Sequence, residues 1–370
     1  MTVLLTVNAG SSSVRLAAFS MPTLALLATR HYDAVSAAAG KDFAGQLREL
    51  GAPTPAVVVH RVVHGGARLT QPCIIDAAVE SEIEALTPLA PLHQPPALAL
   101  IRAARDVLGP AVPQLAVFDT GFYGSLPVMA QTYALPAVLR EKHGIRRYGF
   151  HGIAHESMLE SWRRAQPAVV NGARIISLQL GAGCSVTASI DGQPVETSMG
   201  FSPLEGLVMA TRSGDVDPGA LLYLQTHCGI APSELMDMLN RQSGLLGLSG
   251  LSGNVSELLA SDLDAARLAL GIYCHRITRY LGAYLAVLGG ADAILFGGGV
   301  GENVPVIRAR VLATLSFAGI TIDAARNNAC RGTDAMLSAP GAAVQVWVFA
   351  VDEARIMARS ALALLENAKR

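Results

Sequence analysis

The chain is short of charge and has no bias in its sign. Asp, Glu, Lys and Arg make up 15% of its 370 residues, and the net charge is -1. That balance gives no electrostatic footing for nucleic acid or for an anionic membrane. Any anion it binds must be held by locally placed arginines and backbone N–H groups. Cysteine is scarce too: Cys73, Cys184, Cys228, Cys274 and Cys330 are odd in number and scattered. No pair has metal-site spacing, so they read as free thiols of a reducing compartment, and a cytoplasmic location is expected. The first 20 residues lack a basic n-region and a convincing cleavage site, so no signal peptide is expected. Long apolar runs are missing. The most apolar window, roughly 281–300, is broken by Gly289-Gly290, Asp292 and Gly297-Gly298-Gly299, and so is no membrane span. No Gly-x-Gly-x-x-Gly opens a helix after the first strand, which sets a Rossmann dehydrogenase aside. Low-complexity tracts and a clear linker are also lacking.

What the chain has is apolar bulk: 51% of residues are hydrophobic. At this length two domains are the default. It also carries one loop twice. Leu4–Val7 runs into Asn8-Ala9-Gly10-Ser11-Ser12-Ser13 and a second apolar segment; Ile175–Leu180 runs into Gly181-Ala182-Gly183-Cys184-Ser185 and another. Small residues let backbone N–H groups approach an anion, and Ser hydroxyls add donors. One such turn is usually just a hairpin. Two, in two halves of a chain, suggest a duplicated α/β core that grips a phosphate chain.

Strand-length apolar runs recur at 3–7, 56–59, 115–118, 175–180, 293–296 and 344–349. Helical patterns lie between them, at 95–107, 155–164, 219–240, 262–288 and 352–367. This alternation predicts α/β domains with largely parallel, covered sheets. Asp191-Gly192 is a hairpin turn signal, so mixed sheets are expected. Polar residues follow the runs: Asn8, then His60–Gly66, Asp119, Gly299–Asn303 and Asp352-Glu353. Open α/β sheets bind ligands at these strand ends. A single Asp there is more often a helix cap, but five polar strand ends are harder to explain that way.

At these residues the chain resembles the acetate and propionate kinases, of the acetate/sugar kinase–Hsp70–actin superfamily. The matching segments are Asn8–Ser13, Arg61–Gly66, Pro91–His93, Phe118–Thr120, Arg147–Gly152, Thr197–Gly206, Thr211–Pro218 and Gly299–Asn303. They run in family order from residue 3 to about 359. The resemblance implies two duplicated actin-like (ribonuclease H-like) α/β domains with mixed sheets and a cleft. The expected bounds are 1–149 plus 354–370, and 150–353. It implies a homodimer and Mg²⁺, or Mn²⁺ in its place. The implied reaction is reversible in-line transfer from ATP to acetate, giving acetyl phosphate and ADP.

Such a transfer between anions needs positioning and charge neutralisation rather than a covalent protein intermediate. By resemblance, Arg61 and Arg212 clamp the carboxylate and the phosphoryl group. A surface ion pair is the commoner fate of an Arg, but Arg61 sits between apolar residues and beside glycines. His151 matches the family's transition-state histidine; the competing assignment is a hydrogen-bonded core His. His64 and His93 are orienting or packing residues. Asp119 and Glu353 match the Mg²⁺ carboxylates, and Asn8 a residue that positions ion and phosphate. Glu353 could equally serve the helix it opens. Ser11 and Ser13 match the first phosphate loop, and Gly181, Gly183 and Ser185 the second. Gly299, Gly301 and Asn303 match the adenosine floor. Val63, Leu92, Phe150 and Pro203 match the acyl pocket.

Departures cluster on the nucleotide side. The family's His-Leu-Gly-Asn-Gly is Gln179–Gly183, with Ala182 for the Asn. Its adenosine-side Asp-Phe-Arg is Asn254-Val255-Ser256, and Val351-Asp352 replaces Thr/Asn before the metal Glu. These leave open another nucleoside triphosphate or pyrophosphate as donor. On the acceptor side propionate or another short-chain fatty acid is the alternative. A catalytically silent binding protein is a third reading. It is disfavoured by the retained Arg61, Asp119, His151, Arg212 and Glu353.

Overall fold

The structure is a computed structural model and describes residues 2–10, 13–33, 42–168 and 171–367. The chain divides into two compact units. The first comprises 1–124, 150–153 and 352–370, the second 125–149 and 154–351. Residues 125–149, placed in the first domain by the sequence expectation, group with the second unit.

Each unit is built on a six-stranded sheet. The first holds β1 (Thr2–Ala9), β2 (Ser13–Met21), β3 (Leu26–Asp33), β4 (Val57–Val62), β5 (Cys73–Ile74) and β6 (Gln114–Phe118), in the order β3-β2-β1-β4-β6-β5. The second holds β7 (Arg174–Leu180), β8 (Cys184–Ile190), β9 (Gln193–Thr197), β10 (Ala293–Gly297), β11 (Ala335–Met336) and β12 (Gln345–Val348), in the order β9-β8-β7-β10-β12-β11. Adding six to each strand of the first order gives the second. The pairing sense repeats as well: an antiparallel meander, two parallel neighbours, then an antiparallel edge. Even the irregularity repeats, with a register shift at Ala18/Phe19 in one meander and at Ala188/Ser189 in the other. The duplication expected from the two loops is therefore carried by the whole sheet.

All six predicted strands form. Their two-residue period sorts side chains onto opposite faces. In the first unit Leu4, Phe19, Val59 and Val117 pack with Ile356, Met357 and Ala361 of helix Glu353–Asn367. Val3, Leu5, Leu16 and Val58 pack on the other face with Phe43, Leu50, Leu100 and Ala104. Both faces of the central strands are thus buried, which leaves the strand ends as the place for polar chemistry. Asp191 (φ 52°) and Gly192 (φ 74°) make the predicted hairpin turn.

One helical expectation fails. The pattern at 219–240 is broken into Pro218–Thr226, Pro232–Asp237 and a π-turn at Met238–Gln242. Gly229 takes φ 70° there, and Pro232 starts a new helix, so the apolar period hides two stops. Tyr273 and Tyr284 of helix Asp264–Leu288 are buried in the core. Among the described residues no helix is long and apolar enough to cross a membrane.

Candidate active site

In the first unit the parallel strands β1, β4 and β6 lie side by side, with Val7 opposite His60 and Val62 opposite Phe118. Their carboxyl ends therefore bring Asn8, Arg61 and Asp119 into one row, and Glu353 opens the helix behind β1. Arg61 Nε donates to both Asp119 oxygens at 3.1 Å, and Nη2 donates to Oδ2 at 2.6 Å. Its Nη1 donates to Asn8 Oδ1 at 3.1 Å, and Asn8 Nδ2 donates to Glu353 Oε2 at 2.6 Å. Arg61 Nη1 lies 3.9 Å from Glu353.

Asp119 is fully buried. Burial pushes its carboxyl up; Arg61 pulls it down, Glu353 pushes it up again, and the outcome lies above the usual carboxylate range. Burial also opposes charge on Arg61, but Asp119 and Glu353 outweigh it and hold the guanidinium above its ordinary value. Two carboxylates against one guanidinium leave the cluster short of positive charge. Glu353 Oε2 accepts one hydrogen bond, from Asn8, and keeps a lone pair beyond it, whereas Asp119 is already engaged by Arg61 and the His151 N–H. This all-oxygen donor set fits a hard divalent cation that retains several waters. Among the described residues no three His, Cys, Asp or Glu side chains form a closed metal cage.

The segment that carries His151 is fastened to the same aspartate. Asp119's carboxylate accepts from the His151 backbone N–H, and its carbonyl accepts from Gly152 N–H at 3.0 Å. The Tyr123 hydroxyl donates to the Phe150 carbonyl at 2.9 Å. A Cβ at Gly152 would lie 2.2 Å from the Asp119 carbonyl oxygen, so only glycine fits. His151 itself takes φ 58°, a left-handed conformation rare outside glycine. Strain of this kind persists where surrounding bonds over-determine it.

Val63 and Phe150 are buried and Leu92 is half-buried. His64 meets Phe150 edge-on at 5.3 Å. His64 Nδ1 accepts from Gly66 N–H at 2.9 Å, so the neutral ring carries its proton on Nε2. His93 caps helix Gln94–Leu108 by position, without a side-chain cap bond. In the first small-residue loop Gly10 N–H donates to Ser13 O at 2.8 Å. Ser11 lies outside the described residues.

In the second unit Arg212 is 6% exposed and donates from Nη1 to the Pro203 carbonyl at 2.6 Å. The second small-residue loop closes through Gly181 N–H to Gly183 O at 3.0 Å. It is tied to the Arg212 segment by Ala210 N–H to Ala182 O at 3.0 Å. Ser185 Oγ lies 2.8 Å from His155 Nε2, and His155 Nδ1 lies 2.7 Å from Ser177 Oγ. Burial pushes His155 down to about 3, so it stays neutral. Asn254 caps helix Val255–Leu259, its Oδ1 accepting from Ser256 N–H at 2.8 Å. An Asp could do the same.

Helix Gly298–Asn303 carries the expected adenosine floor. Asn303 Nδ2 donates to Gly299 O at 3.0 Å. Glu302 Oε1 accepts from Gly298 N–H at 2.9 Å and Val351 N–H at 3.1 Å. Fully buried Arg308 donates to Gly301 O at 2.8 Å and Glu302 O at 3.0 Å, and also to Asn327 and Cys330. It thereby satisfies carbonyls at this helix's C-terminal end. The glycines divide in role. A Cβ at Gly297 would meet Val351 and Met158 within 2.6 Å, and Gly298 takes φ 77°. At Gly299 a Cβ meets nothing within 4 Å among the described residues.

Arg308 and His155 escaped the sequence reading, and Glu302 and Arg147 entered it only as members of matching segments, without a role. Arg308 sits in a short helix where an Arg normally faces solvent, and Arg147 looks like half of a basic surface pair. Nothing local marks Arg308 as buried or Arg147 as half-buried.

A family model described as the acetokinase family matches residues 28–359. The acetate kinase of Chloroherpeton thalassium is 46% identical over 307 residues, 82% of this chain and 74% of that protein. The acetate kinase of Clavibacter michiganensis is 42% identical over 393 residues, 98% of this chain and 99% of that protein. Among solved structures, Porphyromonas gingivalis acetate kinase superposes with TM-score 0.87 at 33% identity, covering 99% of this chain and 100% of that one. A propionate kinase from Francisella tularensis gives TM-score 0.86 at 33% identity, covering 97% and 99%.

Proposed function

The chain belongs to the acetokinase family, and from that premise we propose how its residues carry out reversible phosphoryl transfer between ATP and acetate. It is a kinase whose acceptor is a carboxyl group. The observation that carries the reading is the part-buried row Asn8–Arg61–Asp119–Glu353 at the strand ends of the first unit.

In this reading Arg61 receives the substrate carboxylate, since a guanidinium stays charged and presents paired donors. Asp119 holds Arg61 in orientation and anchors the His151 segment. His151 donates toward the oxygens of the group in transfer, and Arg212 neutralises the charge that develops there. Asp119, Glu353 and Asn8 would hold Mg²⁺, which when bound supplies charge neutralisation of the donor phosphates. Val63, Leu92, Phe150 and Pro203 shape the acyl end for a short chain. Ser13 and the Gly181–Ser185 loop would take the phosphates, with Ser11 assigned by resemblance alone.

Gly299 supports ATP as the donor. Among the described residues no neighbour requires glycine there, which is consistent with close approach of a nucleotide to this backbone. Asn303 braces that turn. Leu222, Tyr223, Met236, Leu263 and Leu268 of the second unit are exposed apolar side chains and supply surface for a homodimer. Five free thiols favour a reducing, cytoplasmic setting.

The test is acyl phosphate formation, trapped as the hydroxamate, from acetate, Mg²⁺ and ATP. Turnover with acetate exceeding that with propionate supports the reading. Folded protein that makes no hydroxamate from either acid overturns it.

A further inference from the structure

We propose that Arg147 is a positioning residue for the phosphoryl transfer, docking the loop that aims Arg212. The proposal rests on the role given to Arg212 above.

From Thr197, where β9 ends, to Pro218, where the next helix starts, the chain has no regular secondary structure. No backbone ladder fixes this stretch; isolated backbone bonds pin it, among them Tyr148 N–H to Gly200 O and Ala210 N–H to Ala182 O, each at 3.0 Å, and side chains hold much of the rest. Arg147 uses most of its guanidinium to do so. Nε donates to Ala130 O at 3.2 Å, Nη1 to Thr197 O at 3.2 Å and Ser198 O at 3.4 Å, and Nη2 to Glu205 Oε1 at 2.8 Å. The guanidinium also lies over the Tyr133 ring, 5.4 Å from its centroid. The Tyr133 hydroxyl donates to Glu205 and accepts from Phe201 N–H at 2.9 Å. Gly200 passes so close that a Cβ there would lie 2.0 Å from this hydroxyl.

These attachments, at 197–198, 201 and 205, bracket Pro203, whose carbonyl holds the Arg212 guanidinium at 2.6 Å. The far end of the loop has its own clamp. Asp215 accepts from Gly206 N–H at 2.7 Å and from the Tyr280 hydroxyl at 2.9 Å, and Arg276 donates to Gly206 O at 3.2 Å. With that end fixed, the position of the Pro203 carbonyl is set from the Arg147 side. Arg147 bonds to the loop. It acts through Glu205, Tyr133 and the loop backbone. A planar five-donor group suits this work, whereas lysine reaches only part of the set.

The experiment is a double-mutant cycle with Arg147→Gln and Arg212→Lys, the latter retaining a charge and measurable turnover. The prediction for Arg147→Gln is a fall in kcat of about tenfold or more, because a misplaced catalytic group costs rate. KM for acetate and ATP should stay within about twofold. In the Arg212→Lys background the same substitution should add less than about twofold, since groups acting as a unit are not additive. Arg147→Lys should recover part of kcat. An undiminished kcat, or an equal loss in both backgrounds, overturns the proposal. Should Arg147→Gln fail to fold, Tyr133→Phe enters the same cycle under the same criteria, and a Tyr133 effect independent of Arg212 is equally fatal. Failure of the Arg212 role itself is seen separately, as near-normal turnover by Arg212→Ala.

Discussion

Arg61 grips Asp119 through three hydrogen bonds from one edge of its guanidinium, with Nε 3.1 Å from each carboxylate oxygen and Nη2 2.6 Å from Oδ2. The same aspartate holds the backbone of His151 and Gly152. One fully buried carboxylate thus couples a substrate clamp to the histidine segment. Arg61→Ala would strand that carboxylate without its cation. Breaking a buried pair in this way typically costs about 3–5 kcal/mol. The variant should lose stability of that order in denaturant titration and turnover by about a thousandfold. Asp119→Asn keeps the shape and an acceptor oxygen, so it should retain more stability while losing comparable turnover. If Asp119→Asn turned over normally, the aspartate would be a packing residue only.

The acyl end yields a separate test. Val63 is 4% exposed and follows the strand that delivers Arg61. One methylene in an apolar pocket changes discrimination by about 1–3 kcal/mol. Val63→Ala should therefore raise the propionate-to-acetate ratio of kcat/KM by about tenfold, with little change in KM for ATP. An unchanged ratio would remove Val63 from the pocket.

The strands, the doubled loop and the carboxyl-end chemistry were legible because each is written locally. An apolar run of β length announces itself, and a polar residue after it is visible without knowing its partner. Asn8, Arg61 and Asp119 could be proposed together for that reason. What was not legible is what long-range packing decides. Arg308 and Arg147 are separated in sequence from most of the carbonyls they satisfy, and the packing that removes Arg308 wholly and Arg147 partly from solvent is what gives them meaning. The break in the 219–240 pattern was hidden by apolar residues that continue the helical period across Gly229 and Pro232. Asn254 looked like a departure from the family, yet Asn and Asp cap a helix alike, so its local structure is preserved.

Gly299 separates stability from function. Its backbone lies in helix Gly298–Asn303 and a Cβ there meets nothing within 4 Å among the described residues. Replacing a helical glycine by alanine ordinarily stabilises by about 0.5–1 kcal/mol. Gly299→Ala should therefore be as stable as the parent or slightly more so. If a nucleotide approaches this backbone, KM for ATP should rise several-fold in the same protein. Gly298→Ala, at φ 77° and 2.6 Å from the Leu180 carbonyl, should instead lose stability. A Gly299→Ala variant with an unaltered KM for ATP would move the adenosine floor elsewhere.

Two buried imidazoles, His60 and His155, make stability fall in acid. His60, hydrogen-bonded to Gln114 at 2.7 Å, is pushed down to about 4 mainly by burial, with Arg105 adding to the effect. His155, between Ser177 and Ser185, is pushed down to about 3 by burial. Both titrate near 6.5 once unfolded. Below that pH the unfolded chain takes up protons that the folded one refuses. Their contribution to stability is therefore complete above about pH 6.5. It declines as the pH falls toward about 4 for His60 and about 3 for His155, by about 1.4 kcal/mol per pH unit for each ring. His155→Gln should be less stable than the parent at pH 7.5, because Ser177 and Ser185 lose their partner. Its unfolding free energy should nevertheless fall less steeply between pH 6.5 and 4.5, by the slope of one imidazole. Carboxylates that titrate in this range are common to both proteins and cancel in the difference. Parallel curves for the two proteins would mean that His155 is charged in the fold and that the Ser–His–Ser chain is not neutral.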